Sequence, residues 1–300
     1  MQGSKIRFSR RDSIFKTDEW KRFSKNKLAL IGLCLILFMI LVAVLAPLIA
    51  QNDPYVSLRD ATTNKIIKNS SPAKSGTILG TDYLGRDVFS RTVYAARISL
   101  SVGLVAVSIS TLVGIFLGAI SGYFGGIVDT IIMRIVDVVY CFPVMFLVMI
   151  IAAILKPSIW NIMIIIGLVN WTGTARFVRG EILRVRELEY VQASVSLGAT
   201  HGRIILHHIL PNIIAPIIVE ATLQMAHAIL TEAALSYLGV GVQVPIPSWG
   251  NMLNEANNLA ALTLYAWQWV PPGLCILVVV LSINFIGDGL RDAFDARQKK

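Results

Sequence analysis

Titratable side chains inside apolar stretches are the first candidates for chemistry in this sequence. Asp137, Glu220 and Glu232 each lie within an apolar run, and Asp129 and Arg134 precede Asp137 in the first half of its run. Arg134 is three residues before Asp137, so we expect the two to pair on one helix face. Charged groups are costly inside a membrane, so such residues are functional candidates by default, and proton relay is the chemistry that they suit. We favour helix-to-helix hydrogen bonding, because no obvious relay chain joins these residues. A proton-coupled carrier or channel using the three acids is the alternative.

Other chemistry has little support. The sequence lacks the phosphate-binding pattern Gly-x-x-x-x-Gly-Lys-[Ser/Thr], and it also lacks His-Glu-x-x-His and Gly-x-Ser-x-Gly. His207 and His208 are adjacent, so they project from different helix faces, and no Cys or carboxylate is close to them in the sequence. We therefore assign no catalytic, cofactor-binding or metal-binding residue and predict a protein that is not an enzyme.

Composition places the chain in a membrane. Of 300 residues, 55% are hydrophobic and 15% charged, which is typical of a polytopic membrane protein rather than a soluble domain. Much of the net charge of +9 lies in residues 1–27, directly before an apolar run. That position indicates membrane orientation with this segment in the cytoplasm, and not nucleic-acid binding. The cysteines, which we expect to be buried hydrophobes, are Cys34, Cys141 and Cys275.

Hydropathy predicts an all-α protein with six transmembrane helices and both termini cytoplasmic. The predicted spans cover residues 28–50, 98–122, 127–155, 159–174, 213–238 and 267–286, the last broken by Pro271 and Pro272. The first is too long for the apolar region of a secretory signal. The predicted segments are a cytoplasmic basic segment 1–27, a first helix 28–50, an external loop 51–97 ending in an interfacial helix, a core transmembrane domain 98–290 with a cytoplasmic loop 184–212, and a cytoplasmic tail 291–300.

Small residues recur along the second predicted span. Ser110, Gly114, Gly118 and Gly122 are spaced by four residues. Such a stripe lets another helix approach closely, so we predict a helix-packing seam with another span or a partner chain.

Two further segments are predicted to lie outside. Asp82, Arg86 and Asp87 precede the second span, and we expect them to tie this elbow of the chain together rather than to bind a cation. Residues 239–250 are too rich in Gly and Pro to continue a helix, and residues 241–266 contain neither Lys nor Arg. This connection is therefore expected to be a re-entrant or lid-like segment.

The stretch from Tyr190 to Asn212 separates two long apolar runs. It is predicted to form two short helical pieces joined near Gly198, with Ala193, Ser194, Leu197 and Ile204 on a docking face, and with Pro211 in the first turn of the next helix. It resembles the cytoplasmic coupling loop of ABC-importer permeases, because Gly198 follows Gln192 by six residues and precedes Leu210 by twelve. Gln192 and Ser194 depart from that family's Glu-Ala-Ala, and His208 stands at its usual Ile. The coupling residues that the resemblance implies are Tyr190, Gln192, Ala193, Ser194, Leu197, Gly198, Ala199, Ile204, His208, Leu210 and Pro211.

Other motifs in the same order extend the resemblance over residues 79–297. They are Gly-Thr-Asp-x-x-Gly-Arg-Asp at 80–87, Ser-Gly-Tyr-Phe-Gly-Gly-x-x-Asp at 121–129, the run 235–243, Pro-Ser-Trp-Gly at 247–250 and the ending 287–297. Together they resemble the C-type permease subunit of bacterial dipeptide/oligopeptide ABC importers.

This resemblance implies a type I ABC-importer permease fold in the bacterial inner membrane. It implies a heterodimer with a homologous permease, two ATPase subunits that bind the ATP and Mg, an extracytoplasmic peptide-binding protein, and contact with membrane lipid but not nucleic acid. No cofactor is expected on this chain, and substrate-binding residues are not assigned. A nickel-importing permease of the same family is the nearest alternative.

Overall fold

The computed structural model describes residues 18–298, and the predicted segment 1–27 lies mostly outside this range. The described residues form helices, most of them joined by short connections, and the longest connection covers residues 50–71. In chain order they are α1 Asp18–Phe23, α2 Lys27–Val44, α3 Ala46–Ile49, α4 Pro72–Ser75, α5 Val88–Phe124, α6 Gly126–Tyr140, α7 Val144–Ile154, α8 Ile159–Arg186, α9 Glu189–Ser196, α10 His201–Arg203, a π-helical stretch Ile204–Ile209, α11 Leu210–Tyr237, α12 Trp249–Leu253, a 3-10 turn Asn254–Asn257, α13 Leu259–Leu264 and α14 Ala266–Gln298.

Within residues 18–298, five helical stretches are long and apolar enough to cross a membrane, and the pair α6 and α7 is a sixth candidate. This pair is bent by 84°. Pro143 lies at the break and disfavours helical backbone at the residue before it, Phe142. The third predicted span is therefore a broken one.

The helices pack around α5, which lies most extensively against α8 and also contacts α2 and α11. Apolar side chains such as Leu112, Phe116 and Ile127 remain exposed on the isolated chain. Cys34 and Cys141 are exposed as well, so the prediction that they are buried is wrong. A membrane protein keeps apolar side chains on its outer surface, where lipid or a partner chain covers them.

The small-residue stripe lies against α8 of the same chain. A Cβ on Gly118 would lie 2.6 Å from the Ala175 carbonyl oxygen, and one on Gly122 would lie 3.0 Å from that of Arg179. A Cβ on Gly114 would collide with Thr174. Ser110 continues the stripe as a buried hydroxyl. The backbones of α5 and α8 can therefore approach closely only because these positions lack side-chain bulk.

The elbow before α5 is held by buried ion pairs, as the sequence predicted. Arg86 Nε donates to Asp82 Oδ2 at 2.7 Å, and Arg91 Nε lies 3.5 Å from the same oxygen. Asp87 caps α5 by accepting from the Phe89 N–H, and it also accepts from Asn52 Nδ2. No helix boundary separates residues 88–97 from the span, so the expected interfacial helix is the beginning of α5.

The connection after α11 folds back into the helix bundle. Trp249 is fully buried, and its Nε1 donates to the Thr92 carbonyl oxygen at 3.1 Å. Ser248 and Asn251 form a reciprocal cap at the start of α12, which packs between α5, α11 and α14. The connection therefore turns back into the helix bundle, and its place relative to the membrane stays a prediction.

Helix α14 differs from the sequence prediction. We expected Pro271 and Pro272 to break the sixth span, but α14 continues through both, so that prediction is wrong. The two prolines lie in the second turn, where they remove only hydrogen bonds to the first turn and leave the rest of the helix intact. The predicted tail 291–300 continues this helix as far as Gln298.

Candidate functional site

The segment after α8 forms a short amphipathic helix held at one end of the bundle. Val191, on the inner face of α9, is 1% exposed and lies in an apolar cluster with Ile182 and Val185 of α8. Ile204 and Ile209 of the π-helical stretch complete this cluster. Helix α9 is therefore fixed to the ends of two candidate spans by its buried face.

The opposite face of α9 is open. Leu197 is 87% exposed, and Tyr190, Gln192 and Ala193 are also exposed. Gln192 Nε2 donates to the Arg186 carbonyl oxygen at 2.9 Å, which joins α9 to the end of α8. The Ser194 hydroxyl donates to the Tyr190 carbonyl oxygen and stays within its own helix. An exposed leucine beside small and polar residues is a surface that a protein partner can cover.

Ile204 does not belong to this face, although the sequence placed it there. It is 1% exposed and points into the apolar cluster beneath α9. The predicted docking face is therefore limited to Ala193, Ser194, Leu197 and their neighbours on α9. Ala199 and Leu210 pack partly against the same inner cluster.

Gly198 ends α9 in a left-handed conformation, with φ of +77°. The Gly198 N–H donates to the Val195 carbonyl oxygen at 2.9 Å, and the Ala199 N–H donates to that of Ser194 at 3.1 Å. These two bonds form a Schellman motif, which satisfies the last carbonyl groups of α9. Within the described structure, no atom lies within 4 Å of a Cβ built on Gly198. Backbone conformation, and not close packing, is therefore what requires glycine here.

The chain then enters one helical run from His201 to Tyr237, and within it Pro211 lies in the first turn of α11, as predicted. The six residues before Leu210 are π-helical, and the Leu210 N–H donates to the Ile205 carbonyl oxygen. Pro211 has no N–H, and its ring disfavours regular α-helix in the preceding turn, which the wider π turn accommodates. His208, whose carbonyl oxygen accepts from Asn212 Nδ2, and Leu210 are half-buried in this stretch.

Ion pairs and hydrogen bonds connect the neighbouring helix ends. Arg179 Nη2 lies 2.6 Å from Asp129 Oδ2, and the Tyr123 hydroxyl lies 2.9 Å from His201 Nδ1. Arg176 donates to Asp137 at 2.8 Å. Arg134, the partner that the sequence suggested for Asp137, lies 4.0 Å away and is largely exposed.

A polar cluster lies midway along the helices. Gln224 Nε2 donates to Glu220 Oε1 at 3.1 Å and to Thr174 Oγ1 at 2.9 Å, and Ser110 Oγ donates to Gln224 Oε1 at 3.2 Å. The cluster borders a cavity of about 160 Å³ that is also lined by His227. Gln224 was not among the residues predicted from the sequence, although an amide side chain in an apolar run is a visible signal.

Glu232, the other acid of α11, is fully buried. It accepts hydrogen bonds from Ser236 Oγ at 2.7 Å and Ser99 Oγ at 3.1 Å. Ser99 also accepts from the Trp249 N–H, so this carboxyl group helps to fix α12 against α5. In residues 18–298 no group of three or more His, Cys, Asp or Glu side chains is arranged to hold a metal.

Comparison with known proteins identifies the relatives of this fold. Residues 114–300 match the family described as binding-protein-dependent transport system inner membrane component. Residues 17–72 match the N-terminal TM domain of oligopeptide transport permease C.

Curated relatives align along nearly the whole chain. A dipeptide transport system permease protein of Alkalihalophilus pseudofirmus is 44% identical and covers 94% of this chain and 90% of its own length. An oligopeptide transport system permease protein of Bacillus subtilis is 39% identical, with 99% and 95% covered. The crystal structure of an amino acid ABC transporter with histidines gives a TM-score of 0.51 at 15% identity, covering 70% of this chain and 94% of that one. This structural likeness shows a shared fold.

Proposed function

We propose that this chain, which belongs to the family of binding-protein-dependent transport system inner membrane components, is the permease subunit of an ATP-driven importer of dipeptides or oligopeptides. As a member of this family it is a multi-pass bacterial inner-membrane protein without catalytic activity of its own. The peptide substrate is suggested by the names of the relatives, which are 39% to 44% identical.

Transport systems of this family combine permeases, ATPases and a substrate-binding protein. For this chain, we assign three kinds of partner. It forms a heterodimer with a homologous permease, it works with two ATPase subunits that bind ATP and Mg, and it receives peptide from an extracytoplasmic peptide-binding protein. Both termini and the segment 184–212 are then cytoplasmic, and residues 51–87 and 239–265 are external.

The open face of α9 carries the coupling assignment. Leu197 is 87% exposed on a helix whose opposite face is anchored by Val191 to the ends of α8 and α11. A partner that moves α9 therefore also moves these spans. Closure of the ATPases would move the coupling segments and turn the pathway alternately to each side of the membrane.

Leu197→Asp tests this assignment, with Leu259→Asp as the matched control. Leu259 is 74% exposed on α13, near the opposite end of the bundle. The complex is purified from membranes, and the bound ATPase subunit is quantified. We expect loss of ATPase only from the Leu197→Asp complex, because a charge disfavours an apolar contact. Full retention of ATPase by the correctly inserted Leu197→Asp protein would contradict the coupling role.

The alternatives are separated by transport assays. A nickel importer would take up nickel but not peptide with the same partners. A proton-coupled carrier using Asp137, Glu220 and Glu232 would transport without ATPase subunits. In the structure these acids contact Arg176, Gln224 and two serines respectively, which supports the structural role favoured above.

A further inference from the structure

A polar cavity of about 630 Å³ opens at the end of the bundle where α5 begins. Its lining comes from the elbow before α5, the re-entrant connection and the start of α14, and it includes Arg86, Arg91, Asn251, Glu255, Tyr265 and Gln268. Pockets for small ligands commonly have volumes of about 300–1,000 Å³. The cavity is large enough for a short peptide.

Two buried side chains that line this cavity have unpaired polar atoms. Arg86 is 3% exposed and binds Asp82 through Nε, but its Nη2 has no hydrogen-bond partner among the described residues. Gln268 is 1% exposed and donates through Nε2 to Asn69 and the Thr81 carbonyl oxygen. Its Oε1 has no partner within the same part of the chain. Buried polar atoms are almost always paired, so the side chains of the cavity wall hold one donor and one acceptor that lack a partner among the described residues.

The charges around the cavity favour an anion. Arg86 and Arg91 share a single carboxylate, Asp82. Glu255 is the other acid nearby, and burial together with the charge of Asp82 raises its pKa to about 8, although both arginines lower it. Glu255 is therefore mostly protonated at neutral pH, and the two guanidinium groups exceed the negative charge by one.

We propose that this cavity receives a short peptide by its free carboxylate, which accepts from Arg86 Nη2 while a peptide N–H donates to Gln268 Oε1. This rests on the proposed function, since peptide is the substrate class assigned there. The unpaired donor matches the carboxylate of this ligand in type, the unpaired acceptor matches its peptide N–H, and the excess positive charge also matches the carboxylate. The cavity would then be a reception site that peptide occupies before it enters the pathway.

Binding to the complete transporter without its binding protein tests the site. The permease pair with both ATPases is placed in lipid nanodiscs, and binding of labelled dialanine is compared with that of its C-terminal amide. We expect the free acid to bind and the amide to bind at least about tenfold more weakly, because a charge-assisted hydrogen bond is lost. Equal binding of both probes, or binding of neither, would overturn the proposal.

Arg86→Lys tests the donor itself. Lysine can keep the ion pair with Asp82 but lacks the second arm of the guanidinium group, so we expect discrimination between acid and amide to disappear. Arg97→Lys, an exposed residue of α5 outside the cavity lining, is the control and should retain discrimination. If Arg86→Lys has the wild-type melting temperature and still discriminates, the assignment of Arg86 fails. If that variant does not fold, Gln268→Leu replaces it and should weaken both probes.

Parallel measurement of ATP-driven uptake with the binding protein keeps the two proposals distinct. Uptake of dialanine by a transporter that does not bind it alone would overturn the cavity site and leave the importer in place. Acid-dependent binding without ATP-driven uptake would support the site and contradict the importer. If discrimination between acid and amide requires the binding protein, that protein and not the cavity recognises the peptide carboxylate, and the proposal is wrong.

Discussion

Arg179 Nη2 lies 2.6 Å from Asp129 Oδ2, and Arg179 Nε also bonds to the same carboxylate, so α8 and α6 are joined by a two-point contact. Ser121 of α5 donates to Asp129 as well, which brings three helices to one carboxyl group. The contact is partly buried and geometrically specific, unlike most ion pairs at a surface.

Asp129→Asn is expected to destabilise this junction by about 1–3 kcal/mol, because charged hydrogen bonds are lost. The measurement is thermal unfolding of the purified protein in one detergent. Arg134→Gln is the control, since Arg134 is largely exposed and lies 4.0 Å from Asp137. Equal melting temperatures for the two variants would contradict the importance of the Asp129 contact.

Gly118→Leu is expected to disturb the packing of α5 on α8 and to reduce the yield of assembled transporter. A Cβ at Gly118 would lie 2.6 Å from a backbone oxygen, which cannot move as a side chain can. Gly180→Leu on α8 is the matched control, because no atom among the described residues lies within 4 Å of a Cβ built there. Unchanged yield and transport in the Gly118→Leu protein would remove the seam hypothesis.

Gly198→Val is expected to leave the spans inserted but to weaken ATPase attachment or reduce the peptide imported per ATP. A β-branched residue strongly disfavours the left-handed φ of +77° that ends α9. The readouts are bound ATPase and uptake per ATP hydrolysed in liposomes. Gly202→Val is the control, since Gly202 lies in α10 without a positive φ. Wild-type stoichiometry and coupling in Gly198→Val would argue against a coupling role.

Glu232→Gln is expected to retain most transport. Glu232 accepts from two serine hydroxyl groups inside the protein, and Gln keeps the shape and one acceptor oxygen. Peptide uptake and ATPase activity are measured together in liposomes. Complete loss of uptake, with assembly and ATPase activity intact, would favour the proton-coupled carrier.

Peptide binding to the cavity at the start of α5 is expected to weaken as pH rises through about 8. The pKa of Glu255 lies above its ordinary value of 4.5, so the group is neutral below this range and ionised above it. The charged groups that face Glu255 are Arg86, Arg91 and Asp82. The ionised Glu255 carboxylate would therefore compete with the peptide carboxylate for the two arginines.

Dialanine binding between pH 6.5 and 9 measures this effect, and Glu255→Gln should remove the pH dependence. The free energy of unfolding gives a second readout, because it is linked to the protonation of Glu255. Because the folded state holds the proton more tightly than the unfolded chain, the free energy of unfolding should fall as pH rises between about 4.5 and 8. A binding curve that is unchanged by Glu255→Gln would contradict the role of this residue.

Much of the fold could be predicted from sequence, because hydropathy reports directly on burial in a membrane. The elbow was predictable as well, since Asp82 and Arg86 are four residues apart and pair locally. The C-terminal end of α9 followed from Gly198, whose position predicted a turn that is now seen as a left-handed residue.

Long-range partners were not predictable. Arg176 pairs with Asp137 although 39 residues separate them, whereas local spacing pointed to Arg134. The sequence spacing of Ile204 suits the outer face of α9, but the π-helical stretch turns its side chain towards α8. Pro143 marks the break between α6 and α7, but local sequence does not specify that the two helices meet at 84°.

Helix α5 connects the two ends of the molecule as a single rod. It starts beside Arg86 and ends at Tyr123 and Phe124, which contact His201 just after Gly198. At about 1.5 Å per residue, its 37 residues measure about 55 Å. If the rod pivots near its middle, a shift of about 1–2 Å at the His201 end is matched by an opposite shift at the cavity. A displacement imposed at the His201 end of α5 would thus be transmitted through this helix and would change the shape of the cavity at its other end.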